Sequence, residues 1–583
     1  MITTMPIDAT FPPALIMLAG ALFLPLLPRS YRSTFSLLVP LFALGLVWLA
    51  PPGTHLTLKL MDYPLVIYQV DRLSRVFGMI FALITVIGCL FAFHVKQAAR
   101  QAAALLYAAG ALGVTFAGDL ITLFVFWELM SIPSTYLIWA RGTQESQKAG
   151  MRYLMFHIFG GGLLFAGIMV HIGETGRILV EQLTARNSLS SWLILAGVAL
   201  SAAVVPLHAW LSDAYPKATV TGAVFLSALT TKTAVYVLLR VFPGWEILIA
   251  LGVLMALYGV VFAVLANDIR EILAYHIISQ VGYMVTGAGI GTEMAINGAS
   301  AHAFSHILYK ALLFMGAGAV LHTTGKSKLT ELGGLGKKQP LVLWLYMIGA
   351  FSISGFPLFN GFVSKSMVVA AAGAAHHQAA VLLLLLASVG TFLHTGLKLP
   401  YGTWFGEDRG LSPRTPPRNM ILAMAAASFF CLLHGIMPGL LYDMLPYKVD
   451  FAPYTLPHLV ETSQILLFTF VAFWLFRAKV AGEAGITLDV DWFYRRPARW
   501  VQRIFLEGLE TAFNKVEALS MDIVGKLSLF SKNPMLMFTR SGGKYFSPDT
   551  YRPAIQTLIL LVLFSFVLIS FWGLLSHLLA VTK

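Results

Sequence analysis

The chain has 583 residues, of which 58% are hydrophobic and 11% charged, against the roughly 25% charge of an ordinary globular domain. That composition excludes a soluble enzyme, because apolar stretches long enough to cross about 30 Å of hydrocarbon recur along almost the whole length. The net charge of +13 does not point to nucleic acid, since the basic residues fall mostly in alternate loops between apolar segments rather than on one polar face.

Twenty-residue apolar windows punctuated by charge, Gly and Pro predict eight spans in the first part of the chain, near residues 12–28, 33–50, 73–95, 100–117, 119–140, 149–173, 190–210 and 219–241. A second series lies near 246–266, 271–290, 295–323, 341–372, 380–400, 420–440, 460–478 and 556–580, about sixteen spans in all. The first is read as a retained span, since neither a basic region nor a small-residue cleavage site accompanies it. Between the second and third spans, His55 to Leu60 and Leu65 to Tyr68 flank Asp62-Tyr63-Pro64, which predicts a short extracytoplasmic hairpin. From Pro497 to about Phe530 apolar residues step by three or four, among them Val501, Phe505, Leu509 and Val516. This predicts an amphipathic helix along the cytoplasmic interface or a neighbouring subunit, about 50 Å long at 1.5 Å per residue.

With the N-terminus outside, the odd-numbered connections receive Arg29/Arg32, Lys96/Arg100, Arg141/Lys148/Arg152, Asp268/Arg270, Lys326/Lys328/Lys337/Lys338, Arg409/Arg414/Arg418 and Arg477/Lys479. That is the positive-inside pattern. Cys89 and Cys431 sit in apolar runs without metal-ligand spacing, so no metal, iron–sulfur site or other cofactor is expected in this chain. Any redox centre belongs on a partner.

A charged side chain at mid-bilayer costs at least about 2.5–3.5 kcal/mol, so each one needs a partner or a task. The candidates are Glu128, Lys232, His302, His306, Lys310 and Lys365, with His157, His208, His394 and Lys398 nearer span ends. Glu128 precedes Pro133, which cannot donate to the carbonyl of Leu129 and leaves a polar group free beside the carboxylate. An inert ion pair between Glu128 and Lys232 is the plain alternative. His302, His306 and Lys310 stand at i, i+4 and i+8 and form one stripe, which suits a proton wire because imidazole both accepts and donates near neutral pH. A metal reading of the two histidines is weaker, since no carboxylate or cysteine completes a site. Lys365 lies just beyond Ser354-Gly-Phe-Pro-Leu-Phe-Asn-Gly-Phe362, where Pro357 and two glycines predict a broken helix of the kind that places free backbone groups at ion sites. The alternative there is a kink for packing alone, with Lys365 reaching to the interface.

These segments resemble the antiporter-like subunits shared by respiratory complex I, membrane-bound hydrogenases and Mrp-type multisubunit cation/proton antiporters. From roughly Val70 to Pro400 the likeness rests on an ordered set of motifs: Trp127-Glu128-Leu-Met-Ser-Ile-Pro133, Pro206-Leu-His-Ala-Trp-Leu-Ser-Asp213, Leu229-Thr-Thr-Lys232, Asp268-Ile-Arg-Glu-Ile-Leu-Ala-Tyr275 with Ser279-Gln280-Val-Gly282, His302-x3-His306-x3-Lys310, and Gly361-Phe-Val-Ser-Lys365. The tail motif Leu488-Asp-Val-Asp-Trp-Phe-Tyr-Arg495 is similar to that of members carrying a lateral helix and one further span.

The resemblance implies an all-α polytopic membrane protein with two inverted five-helix repeats, each with a broken helix. The implied layout is N-terminal spans and hairpin in 1–72, the third span and first repeat in 73–266, the second repeat in 267–400, additional spans in 401–483, the amphipathic lateral segment in 484–555 and a terminal helix in 556–583. By position, Glu128, Lys232, the row His302, His306 and Lys310, and Lys365 match the family's proton-translocating residues. Ser201 stands where the family usually carries a seventh-helix lysine, which leaves the first half-channel inactive, rewired through His208, or adapted to another ion. Arg270, with Glu271, stands where two basic residues are common, and an arginine does not release protons as a lysine can.

Three functions follow from the resemblance: an ion-translocating subunit of an Mrp-type antiporter exchanging protons for sodium or another monovalent cation; the proton-pumping arm of a quinone reductase or hydrogenase; and a proton channel energising a soluble inorganic-carbon uptake partner. In each, other hydrophobic subunits of a multisubunit complex in a prokaryotic cytoplasmic (inner) membrane are the expected partners. No residue is assigned a catalytic role.

Overall fold

The architecture is that of a computed structural model, which describes residues 11–61, 63–480, 489–532 and 554–581. Asp62 of the expected hairpin, Leu488 of the tail motif and residues 533–553 of the expected lateral segment lie outside the described residues. Helices dominate because a bilayer holds no water for backbone amides, which must bond within their own segment.

The chain opens with α1 (Pro13–Phe23) and α2 (Arg29–Leu49). The hairpin follows as β1 (Gly53–Leu60) and β2 (Tyr63–Val70), antiparallel from Gly53 opposite Val70 to Leu60 opposite Tyr63. Val66, Tyr68 and Val70 of β2 are buried, the two-residue period of a strand with one covered face. Next come α3 (Arg72–Phe91), α4 (Ala98–Phe116), α5 (Leu120–Trp139) and α6 (Gln144–Thr175).

The single span expected over 190–210 is instead two pieces, α7 (Leu189–Ser201) and α8 (Ala209–Ala214). The helix stops where Ala203 adopts φ of 58° and Pro206, having no amide hydrogen, cannot extend it. After α9 (Gly222–Ala228) and α10 (Thr230–Val241) come α11 (Ile247–Leu265), α12 (Ile269–Ile290) and α13 (Glu293–Thr324). The second predicted break is present: α14 (Pro340–Ser354) ends on Gly355 at φ of 79°, and α15 (Asn360–Ala374) begins after Leu358 at φ of 73°. Then α16 (Gln378–Thr391) runs on through π-helical turns to Phe405, followed by α17 (Arg418–Ile436), α18 (Gly439–Tyr442) and α19 (Leu456–Val480).

Eleven described helical segments are long and apolar enough to cross a membrane, and three more are shorter apolar helices. The protein is therefore an α-helical polytopic membrane protein. The expected count of sixteen also included α4 and α12. Arg100 and Gln101 in α4, and Arg270, Glu271 and Gln280 in α12, dilute the apolar character that a lipid-facing span needs, and α12 is almost wholly buried within the protein.

An internal duplication is written in the helix ends. Asp119 caps α5 by accepting from Thr122 N, and Asp268 caps α12 by accepting from Arg270 N. Gly142 and Gly291 both take positive φ; Thr143 and Thr292 cap α6 and α13, each 32 residues long; Gly176 and Gly325 close them in the left-handed conformation. Asp119 forms a β-bridge with Leu179 as Asp268 does with Lys328. All these positions share one spacing along the chain, which sets His157 of α6 opposite His306 of α13, Tyr153 opposite His302, and Gly161 opposite Lys310.

Small residues let the helices approach closely. A Cβ on Gly282 of α12 would lie 2.4 Å from the carbonyl oxygen of Gly252 in α11.

The chain divides after Asp489 into two compact units. The second contains α20 (Asp491–Val501), a π-helical turn over Gln502–Glu507, α21 (Gly508–Lys532) and α22 (Ile555–Val581). The amphipathic helix expected from Pro497 starts earlier, at Asp491.

Candidate ion pathway

Helix α13 carries the predicted stripe: His302, His306 and Lys310 are all fully buried. The ring centroids of His302 and His306 lie 6.2 Å apart, and that of His306 lies 5.2 Å from Tyr309. His302 Nδ1 is 3.3 Å from Ser364 Oγ of α15, the helix that the Pro357 break delivers to the interior. One position further on, Lys365 donates to Ser388 Oγ of α16 at 3.0 Å and stands 5.6 Å above the ring of Tyr283. Tyr283 in turn lies 5.7 Å from His302.

At the other end of the row, Lys232 donates to Ser227 O at 2.6 Å and Thr231 Oγ1 at 3.1 Å, within electrostatic reach of Lys310 and His306. Lys310 donates to Leu273 O at 3.2 Å. Among the described residues none of Lys232, Lys310 and Lys365 pairs with a carboxylate. Their hydrogens go to carbonyls and hydroxyls, which satisfy an ammonium group without locking it in the charged form as a carboxylate would.

Glu128 does not pair with Lys232, so the inert ion pair entertained from sequence is absent among the described residues. Its half-buried carboxyl packs on α6 instead, where a Cβ on Gly161 would fall 1.9 Å from Oε1, and Oε1 itself has no hydrogen-bond partner. Ser201 ends α7 and is buried. Arg270 donates to the carbonyls of Ala218, Tyr215 and Thr219 at 3.0, 3.2 and 3.3 Å, so its guanidinium pins the turn after α8.

Three further groups gain their meaning only from the fold. His276 of α12, a lone histidine within the 271–290 span, is buried near Lys310, with its ring 5.6 Å from that of His394. His157, noted only as lying near a span end, is the duplicate of His306. It stacks on Tyr153 at 4.0 Å and meets the edge of Trp210 at 4.6 Å. Asp489, noted only as part of the tail motif, is buried against His208, at 3.2 Å from Nε2.

Residues 117–392 match the family described as NADH:quinone oxidoreductase/Mrp antiporter, transmembrane, and the row from Lys232 to Lys365 lies inside that match. The chain belongs to this family. As a member of the NADH:quinone oxidoreductase/Mrp antiporter family, it is 31% identical over 357 residues to an uncharacterized protein of Methanocaldococcus jannaschii, covering 57% of this chain and 73% of that one. It is 35% identical over 280 residues to the D-type subunit of the Na(+)/H(+) antiporter of Alkalihalophilus pseudofirmus, covering 45% of this chain and 57% of that relative.

Among solved structures, a chain of the Mrp complex from Dietzia sp. DQ12-45-1b shares the fold with a TM-score of 0.67 at 24% identity, covering 78% of this chain and 98% of that one. A chain of the membrane-bound sulfane sulfur reductase, an archaeal respiratory membrane complex, gives a TM-score of 0.68 at 25% identity with the same coverage.

Proposed function

We propose that this chain is the proton-translocating subunit of a multisubunit Mrp-type monovalent cation/proton antiporter. The observation that carries the reading is the buried row from Lys232 through Lys310, His306 and His302 to Lys365, whose lysines have no carboxylate partner among the described residues. Titratable groups at such a cost inside a membrane mark ion pathways. Protons pass along the row while Glu128, at the edge of the first repeat, biases the charge state of the lysines. Sodium is the counter-ion suggested by the Alkalihalophilus relative. In this reading the N-terminal end faces the outside of a prokaryotic cytoplasmic membrane, and the other subunits are hydrophobic proteins lying beside the chain.

The equal likeness to the sulfane sulfur reductase chain supports a second reading, the proton arm of a redox complex whose partners carry the cofactors. Gentle solubilisation of the native complex, a native gel and mass spectrometry of what co-migrates separate the two. Small hydrophobic subunits without a cofactor protein are the expected result. An iron–sulfur or nickel–iron partner would overturn the antiporter reading in favour of the redox arm, and a soluble metal-binding partner would overturn both.

A further inference from the structure

Asp489 fills a polar site assembled from α8, α11 and α12. Its Oδ1 accepts from the hydroxyl of Tyr258 on α11 and meets His208 Nε2 at 3.2 Å. Its Oδ2 accepts from Tyr275 on α12 at 2.7 Å and from Ser212 on α8 at 3.3 Å. Asp489 is 8% exposed and His208 is not exposed at all. Burying a carboxylate costs several kcal/mol unless donors compensate. Burial pushes the Asp489 carboxyl upward, but His208 and the two tyrosines outweigh it and hold the group below the ordinary carboxylate range.

The second nitrogen of His208, Nδ1, is buried and has no partner among the described residues. A neutral imidazole donates from one nitrogen and accepts at the other, and the hydrogen bond made by one nitrogen decides the tautomer. An ionised carboxylate only accepts. Nε2 therefore keeps the hydrogen, and Nδ1 presents its lone pair.

We propose that Asp489 is a positioning residue that fixes this tautomer and makes His208 Nδ1 a proton acceptor at the seam between the two repeats, just beyond Ser201 in the chain. Nδ1 takes a proton from a water-borne donor, Asp489 offsets the imidazolium charge, and the same nitrogen releases the proton to the next acceptor. The inference rests on the proton-translocating reading above.

The charged groups around the site are Asp213, Arg152, Lys217 and Glu271. Asp213 of α8 is bound by Arg152 of α6 at 2.7 Å and by Lys217 at 2.6 Å. Glu271 of α12 lies within electrostatic reach of Asp489, Asp268, Asp213 and Lys217. His157 of α6 stands on the Trp210 face, and α11 contributes Tyr258. Of these acidic groups only Asp489 bonds His208.

The experiment uses the full complex in everted membrane vesicles, comparing Asp489→Asn, Asp489→Glu and Lys365→Ala with wild type, with assembly read on a native gel. Asp489→Asn keeps a hydrogen-bonding group of the same size, so tethering alone predicts no change. The expected result is normal assembly and a fall in proton transport on the order of tenfold or more. Asp489→Glu is expected to recover part of the rate. The wild-type rate in Asp489→Asn, with transport lost in Lys365→Ala, would overturn this inference alone. Wild-type transport in both would overturn the translocation reading beneath it. Failure of both Asp489 variants to assemble would make Asp489 a residue of the fold and also overturn the inference.

Discussion

At the scale of single residues, the two repeats use one position in opposite ways. Lys310 of α13 is matched in α6 by Gly161, and the space left by the missing side chain is taken by the carboxyl of Glu128. Gly161→Ala therefore has a direct consequence. The added methyl displaces Glu128 and costs about 1–3 kcal/mol as overpacking, and we expect slower proton transport from an assembled complex, read in vesicles beside the thermal stability of the purified protein. Unchanged transport would mean that the position of Glu128 is immaterial. Glu128, Lys232, Lys310 and Lys365 were legible in sequence because a charge inside an apolar run stands out whatever the fold. The surroundings of His208 were not, since Asp489 reaches it from a distant part of the chain and no local pattern encodes that contact. His157 falls between: the common spacing that pairs it with His306 is present in the sequence, but shows as a duplication only when helix caps and bridges are matched.

At the scale of elements, the breaks and caps set where the titratable groups end up. The α14–α15 break was readable from Pro357 and its flanking glycines, whereas the α7–α8 break was implied only by the resemblance, which gives each repeat a broken helix, because Ala202 to Val205 are small and apolar and look like continuous span. The hairpin and the amphipathic helix were readable because periods of 2 and 3.6 are local properties.

Asp71 illustrates a cap with a second duty: it caps α3 by accepting from Ser74 N at 2.8 Å and also pairs with Arg240. Asp71→Ala is expected to cost about 1–2 kcal/mol, seen as a lower unfolding temperature of the purified protein. Burial pushes this carboxyl up, but the Arg240 guanidinium and the Ser74 bonds bring it below its ordinary value. Its stabilisation is thus complete above the ordinary carboxylate range and is lost as pH falls through the lowered value. Asp71→Asn should remove that part of the acid sensitivity, and an unchanged acid profile would contradict it. The α11–α12 contact makes a parallel demand on packing. Gly282→Ala places a methyl against the Gly252 carbonyl and should lower stability by about 1–3 kcal/mol, whereas a neutral effect would show that the helices part easily.

At the scale of the whole molecule, a duplicated helix set has diverged into unequal halves. The second repeat keeps two histidines and a lysine in register on α13, together with Lys365 at the broken helix; the first has Tyr153, His157 and Gly161 in the matching places, and the buried Ser201 at the end of α7. This asymmetry predicts that transport depends on the second half. Replacing His157 should slow it, while replacing Lys365 should stop it. The decisive measurement is cation-dependent proton movement in everted vesicles containing the assembled complex, with wild type beside Lys365→Ala. Loss of movement to the vesicle background, with assembly intact on a native gel, is the predicted result; movement at the wild-type rate would contradict a pathway running through Lys365.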